Sequence, residues 1–141
     1  MARFSNLSVN KSGAGYTLTA TATGLTGATS GGFNITAGAA TKLAYITAPG
    51  NSTAGNTIAG PPTVTVQDSF GNTVTSSIAS ITVAIGVNPG SGTLSGTTTK
   101  NAVSGVANFN DLSVEKSGTG YTLAASATGL TGATSSAFNV S

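Results

Sequence analysis

Residues 2–36 align without a gap on residues 107–141 at an offset of 105, and 24 of the 35 aligned positions are identical. Lys11-Ser12-Gly13-Ala14-Gly15-Tyr16-Thr17-Leu18 returns as Lys116-Ser117-Gly118-Thr119-Gly120-Tyr121-Thr122-Leu123, and the segment from Thr23 to Ser30 returns unchanged from Thr128 to Ser135. Identity over that length marks a duplication within one gene, each block being one structural unit. The offset sets the unit length, so residues 37–141 make one complete unit and residues 1–36 the C-terminal third of a preceding one. A chain of 141 residues has room for one full domain plus such a fragment, not for two complete domains.

Within the complete unit, short apolar runs alternate with turn signals at the spacing of roughly 8 to 12 residues typical of antiparallel all-β folds. Seven strands are predicted. The first runs from Lys42 to Thr47 and ends at Pro49-Gly50; the second runs from Thr63 to Asp68, entered through Gly60-Pro61-Pro62 and closed by Gly71-Asn72. Proline and glycine at those boundaries are residues that strand interiors reject. Ile81, Val83 and Ile85 share one face of the third, which stops at Asn88-Pro89-Gly90. A weaker fourth lies near Thr93 to Thr99, and a fifth spans Val106 to Val114 with a break near Asp111. In the sixth, Tyr121, Leu123, Ala125 and Ala127 alternate with Thr122, Ala124, Ser126 and Thr128, which turns the large side chains inward. Ser136 to Val140 forms the seventh. No segment has helical periodicity with caps, so no helix is predicted.

By the same pattern residues 1–36 supply three strands. Their inward side chains, including Leu7, Val9, Tyr16, Leu18 and Phe33, have no complementary sheet preceding them in this chain. A bare apolar face of that kind is adhesive. Because the segment nearly duplicates residues 107–141, it can replace those strands in its own chain or in a neighbour. The expectation is that another copy covers it through strand pairing.

Only eight residues are charged, against 25 Thr, 18 Ser and 20 Gly, so hydroxyls and exposed backbone must carry solubility. The cations Arg3, Lys11, Lys42, Lys100 and Lys116 are scattered, which argues against a nucleic-acid partner. No apolar stretch approaches the roughly 18 residues of a membrane span, and no signal-peptide core follows Met1-Ala2-Arg3-Phe4. Membrane insertion is therefore not expected, and an export signal is placed outside this chain. There is no His and no Cys, and the carboxylates are Asp68, Asp111 and Glu115 alone. General acid–base chemistry would rest on those three or on a lysine, and Asn6 and Asn10 stand where Asp111 and Glu115 recur. The chain is read as not an enzyme and as needing no cofactor. Asp68, Asn72 and Asp111 are the candidates for calcium, but that ion takes six to eight oxygens with several carboxylates. Asp68 reads instead as the cap of its own turn. Thr17, Thr19, Thr21 and Thr23 fall on one face of a strand, a row that would suit ice or carbohydrate if flat and is otherwise the wet side of a β-branched strand.

Two segments carry a family resemblance. Gly118-Thr119-Gly120-Tyr121-Thr122-Leu123 resembles the corner that leads into the sixth strand of immunoglobulin-like domains, where a Tyr hydroxyl bonds back to upstream backbone. Tyr121, and Tyr16 in the first copy, take that corner role, and Leu123 sits where antibody domains place a cysteine. Val64-Thr65-Val66-Gln67-Asp68-Ser69-Phe70-Gly71-Asn72-Thr73-Val74 is similar to the strand-turn-strand segment of bacterial immunoglobulin-like repeats in invasin/intimin-type adhesins. The resemblance implies an all-β, immunoglobulin-like antiparallel sandwich of about seven strands preceded by a three-strand partial repeat. It further implies a tandem array at the cell surface, in which each unit spaces, stiffens or presents an adhesive tip. Neighbouring repeats or other copies of the chain are the implied partners. A module that recognises a host receptor, a glycan or ice through loops or Thr-rich faces is the alternative. Some surface domains of this kind also carry a Lys–Asn isopeptide bond, for which Lys42 or Lys116 would be the lysine.

Overall fold

The computed structural model describes all 141 residues. It is all-β and has no helix, hence none long and apolar enough to cross a membrane. Fifteen short strands form. In the first copy these are β1 (Gly13–Tyr16), β2 (Thr19–Ala20), β3 (Ala28–Thr29) and β4 (Phe33–Ile35). The complete unit follows with β5 (Lys42–Thr47), β6 (Thr63–Gln67), β7 (Ser80–Ile85), β8 (Leu94–Ser95), β9 (Thr99–Asn101) and β10 (Val106–Asn108). It closes with β11 (Ser113–Val114), β12 (Gly118–Tyr121), β13 (Leu123–Ser126), β14 (Ala133–Thr134) and β15 (Phe138–Val140).

Two antiparallel sheets carry most of the complete unit. One runs in the order β10-β6-β5 and the other in the order β14-β13-β7-β9, with β12-β15 and β11-β8 pairing beside them. Along β7 the β-branched residues Ile81 and Val83 are buried while Ser80, Thr82 and Ala84 face solvent, the alternation that a half-buried strand demands. Leu43, Val64 and Val66 from the first sheet join Ile81, Val83, Leu123 and Ala125 from the second in one buried cluster of 17 apolar residues. Every member of that cluster lies between Leu43 and Val140. Central strand β6 departs from alternation, because Val64, Thr65 and Val66 are all buried. Its second face is closed by the chain returning through Thr73 and Gly105, and the Thr65 hydroxyl is accommodated by Gly105 O and Thr73 Oγ1, each at 3.2 Å.

The unit has eleven strands where seven were predicted: the predicted fourth, fifth and sixth strands each divide, and β14 has no counterpart among the seven. The predicted sixth strand divides at Thr122, since β12 pairs with β15 whereas β13 pairs with β7 and β14. A bulge between Thr119 and Tyr121, with Gly120 at φ +91°, turns the chain from one ladder to the other. The predicted fifth strand breaks at Asp111, whose carboxylate turns back to accept the Thr97 amide at 3.1 Å and the Thr97 hydroxyl. That same contact divides the predicted fourth strand into β8 and β9. Residues 1–36 hold four short strands instead of three, paired β1–β4 and β2–β3, because the first copy divides at Thr17 and Leu18 as the second does at Thr122.

Candidate inter-repeat interface

The first copy folds locally like the second. Tyr16 Oη donates to Lys11 O at 3.0 Å, and Tyr121 Oη donates to Lys116 O at 2.9 Å. Both tyrosine hydroxyls thus bond back to the lysine carbonyl five residues upstream. Gly15 N and Gly120 N each donate to an asparagine side chain, Asn34 and Asn139, at 3.0 Å. Leu18 N and Leu123 N each donate to a serine hydroxyl, Ser30 and Ser135, at 2.9 Å. Tyr16 leans on Phe33 with ring centroids 6.1 Å apart, and Tyr121 on Phe138 at 5.9 Å. Gly15 (φ +74°) and Gly120 (φ +91°) both take the left-handed conformation that the bulge requires and that side chains resist.

What separates the copies is cover. Phe109, Leu112 and Leu123 are 0% exposed, while the matching Phe4, Leu7 and Leu18 are 69%, 63% and 47% exposed. Val9 is exposed although Val114 is buried, and Tyr16 and Phe33 are half-buried although Tyr121 and Phe138 are buried. Phe4, Leu7, Leu18, Ala20 and Ala28 line an open apolar groove of about 490 Å³. In the second copy the space over Tyr121 is filled by backbone: a Cβ on Gly90 would lie 2.4 Å from Tyr121 Oη and 2.2 Å from Ser117 O.

The first copy meets the complete unit at the Asp68–Asn72 turn. Asp68 Oδ1 accepts the amides of Phe70 and Asn72, and Oδ2 accepts Gly38 N and Asn72 Nδ2, all at 2.9 Å. Asn72 then reaches into the first copy, where Nδ2 donates to Asn10 O at 2.8 Å and Oδ1 accepts Ser12 N at 3.0 Å. Both residues are buried, Asp68 to 2% exposure. The Asn72 amide, aided by the Gly38, Asn72 and Phe70 backbone N–H groups, outweighs burial and holds the Asp68 carboxyl down to about 2.

This turn brings together two of the three residues considered for calcium. The structure fills the Asp68 oxygens with four N–H donors and aims the Asn72 nitrogen at them, so the pair is a hydrogen-bond clamp and not a set of oxygen ligands. Asp111 belongs to a separate contact, where the Thr97 hydroxyl, then the Thr97 amide and Lys100, lower its carboxyl against the opposing effect of burial. No group of three or more His, Cys, Asp or Glu side chains is placed to hold a metal. Burial pushes the Tyr45 hydroxyl up to about 12, and that hydroxyl has no hydrogen-bond partner. Of the lysines considered for an isopeptide bond, Lys116 is exposed and Lys42 half-buried. Thr17, Thr19, Thr21 and Thr23 are all exposed, but only Thr19 belongs to a strand, so the row is not a continuous flat array.

No protein-family model matches the chain, and no curated protein matches it. The clamp to the first copy has no direct signal in residue type, because Asn10 O and Ser12 N are backbone groups.

Proposed function

We propose that the chain is part of a structural or adhesive extracellular repeat protein, built from immunoglobulin-like β-sandwiches, that serves as a stalk spacer or fibre subunit. One observation carries the reading: the same residues form the same corner and bulge twice, buried under a second layer in one copy and uncovered in the other. A third of a unit that keeps its frame but lacks its cover fits an array in which a preceding copy of residues 37–106 supplies that cover. Exchange between identical chains would not supply it. Each chain carries two such thirds and one segment that receives them, so exchange leaves one third per chain bare. Pairing between two bare thirds is the fibre form of the same reading, since it covers both. The hydroxyl-rich composition and the eight charged groups in 141 residues support mechanical work more than chemistry.

Small-angle scattering on chains of one, two and three 105-residue units tests the spacer. The expected result is a maximum dimension that grows by a constant increment per unit. Compaction, or an added unit that stays unfolded, would overturn it. Light scattering tests the fibre form: a mass that rises with concentration only when residues 1–36 are present supports pairing through the bare third, and a monomer throughout rejects it.

A further inference from the structure

The clamp at Asn72 has a vacant counterpart at the other end of the chain. In the first copy, Asn72 is held by Asn10 O and Ser12 N, the groups on either side of Lys11, whose carbonyl the Tyr16 corner fixes. In the second copy the Tyr121 corner fixes the Lys116 carbonyl in the same way, and the flanking groups are Glu115 O and Ser117 N. Neither has a hydrogen-bond partner, and both residues are exposed. The change from Asn10 to Glu115 leaves the pattern intact because the clamp uses the carbonyl, and the Glu115 carboxylate is engaged elsewhere by the Ser95 hydroxyl at 3.2 Å. A rigid frame thus presents one backbone acceptor and one backbone donor, a pair that a primary amide side chain satisfies with its nitrogen and oxygen together.

We infer that Glu115 O and Ser117 N are the docking point for the Asn72 side chain of a following unit with the sequence of residues 37–141. The inference rests on the tandem-array reading and adds a specific contact to it. In the contact seen here the incoming segment is tethered at Gly38, two residues beyond Thr36, by the same Asp68 that orients Asn72. A unit continuing from Ser141 has the same short tether, so its Asp68–Asn72 turn is delivered to Glu115 and Ser117. One side chain then joins successive units at a repeated angle, and Asp68 acts as its positioning residue.

Amide hydrogen exchange on the chain extended after Ser141 by a second copy of residues 37–141 tests this. In the unextended chain Ser12 is expected to exchange about tenfold more slowly than Ser117, the difference one backbone-to-amide hydrogen bond makes. In the extended chain Ser117 should slow to the Ser12 rate. Asn72→Ala in the added copy should release Ser117 alone, and Asn72→Ala in the resident copy should release Ser12 alone. The Leu123 amide of the added copy reports whether that copy is folded. Both cores protected with Ser117 exchanging freely overturns the docking point and leaves the array reading standing. An unprotected added core overturns the array reading, and the docking point with it. Protection of Ser117 that survives Asn72→Ala in a folded added copy also overturns the docking point.

Discussion

Residues 2–36 and 107–141 share two-thirds of their sequence, the same paired strands and the same corner and bulge, yet only the second segment contributes to the buried core. The backbone frame therefore follows from local chemistry: a tyrosine hydroxyl on the lysine carbonyl five residues back, an asparagine under a left-handed glycine, and a serine hydroxyl on a leucine amide. Burial is a separate matter, decided by whether a facing sheet is present. Frame without cover has shape but little cooperative stability, because hydrogen bonds contribute modestly once exchanged for water whereas apolar burial dominates the balance.

Paired substitutions break this comparison most sharply in the aromatic layer. Phe109→Ala is expected to destabilise the chain by about 3 to 5 kcal/mol, and Phe4→Ala at the matching position by less than about 0.5 kcal/mol, as read by denaturant unfolding. Leu123→Ala against Leu18→Ala should divide in the same way, at about 2 to 5 kcal/mol for the buried leucine. Equal costs at either pair would mean that something covers the first copy after all.

The next effect concerns the lid over the second tyrosine. Gly90→Ala introduces a methyl group against Ser117 O and Tyr121 Oη, and overpacking of this kind costs about 1 to 3 kcal/mol. Nothing in the chain plays that part over Tyr16. Tyr121→Phe, which removes a single hydrogen bond to Lys116 O, should cost about 1 kcal/mol, and Tyr16→Phe should leave the unfolding midpoint almost unchanged.

The smallest effect is pH dependence at the clamp between the first copy and the complete unit. The Asp68 carboxyl is lower when folded, at about 2, than the ordinary value of 3.8. Its contribution is thus present in full above the ordinary value and is lost as pH falls toward the folded value. A thermal midpoint followed from pH 5 down to about 2 should decline through that window, and Asp68→Asn should flatten the decline. A decline of equal size in Asp68→Asn would assign it to other groups.

Much of the chain's organisation was legible in its residues. The repeat, the all-β character, both edges of β5 and the start of β6 followed from duplication and from Pro or Gly boundaries, and β7 from the alternation of Ile81, Val83 and Ile85, although it ends at Ile85, before Asn88-Pro89-Gly90. The inward side from the end of β12 through β13 was equally plain, because Tyr121, Leu123 and Ala125 recur at every second position and all three are buried. The division of longer strands was not legible, since it depends on where a distant partner sits: Thr97 reaching Asp111, or β13 leaving one ladder for another. Thr65 is buried in a central strand because the segment around Thr73 and Gly105 folds over it, a tertiary event with no trace in local alternation. The clamp was half legible. Asp68 and Asn72 were marked as a turn, but their reach to Asn10 and Ser12, some 60 residues earlier, uses main-chain atoms.

Residue-level amide exchange at Leu18 and Leu123 tests the central claim most directly, because both amides donate to a serine hydroxyl at the same distance and differ only in what covers them. Leu123 should exchange only through global unfolding and Leu18 through local opening; prefixing the chain with a copy of residues 37–106 should bring Leu18 to the protection of Leu123. Equal protection of the two amides in the unextended chain, or a Leu18 rate that the prefix leaves unchanged, would contradict the account.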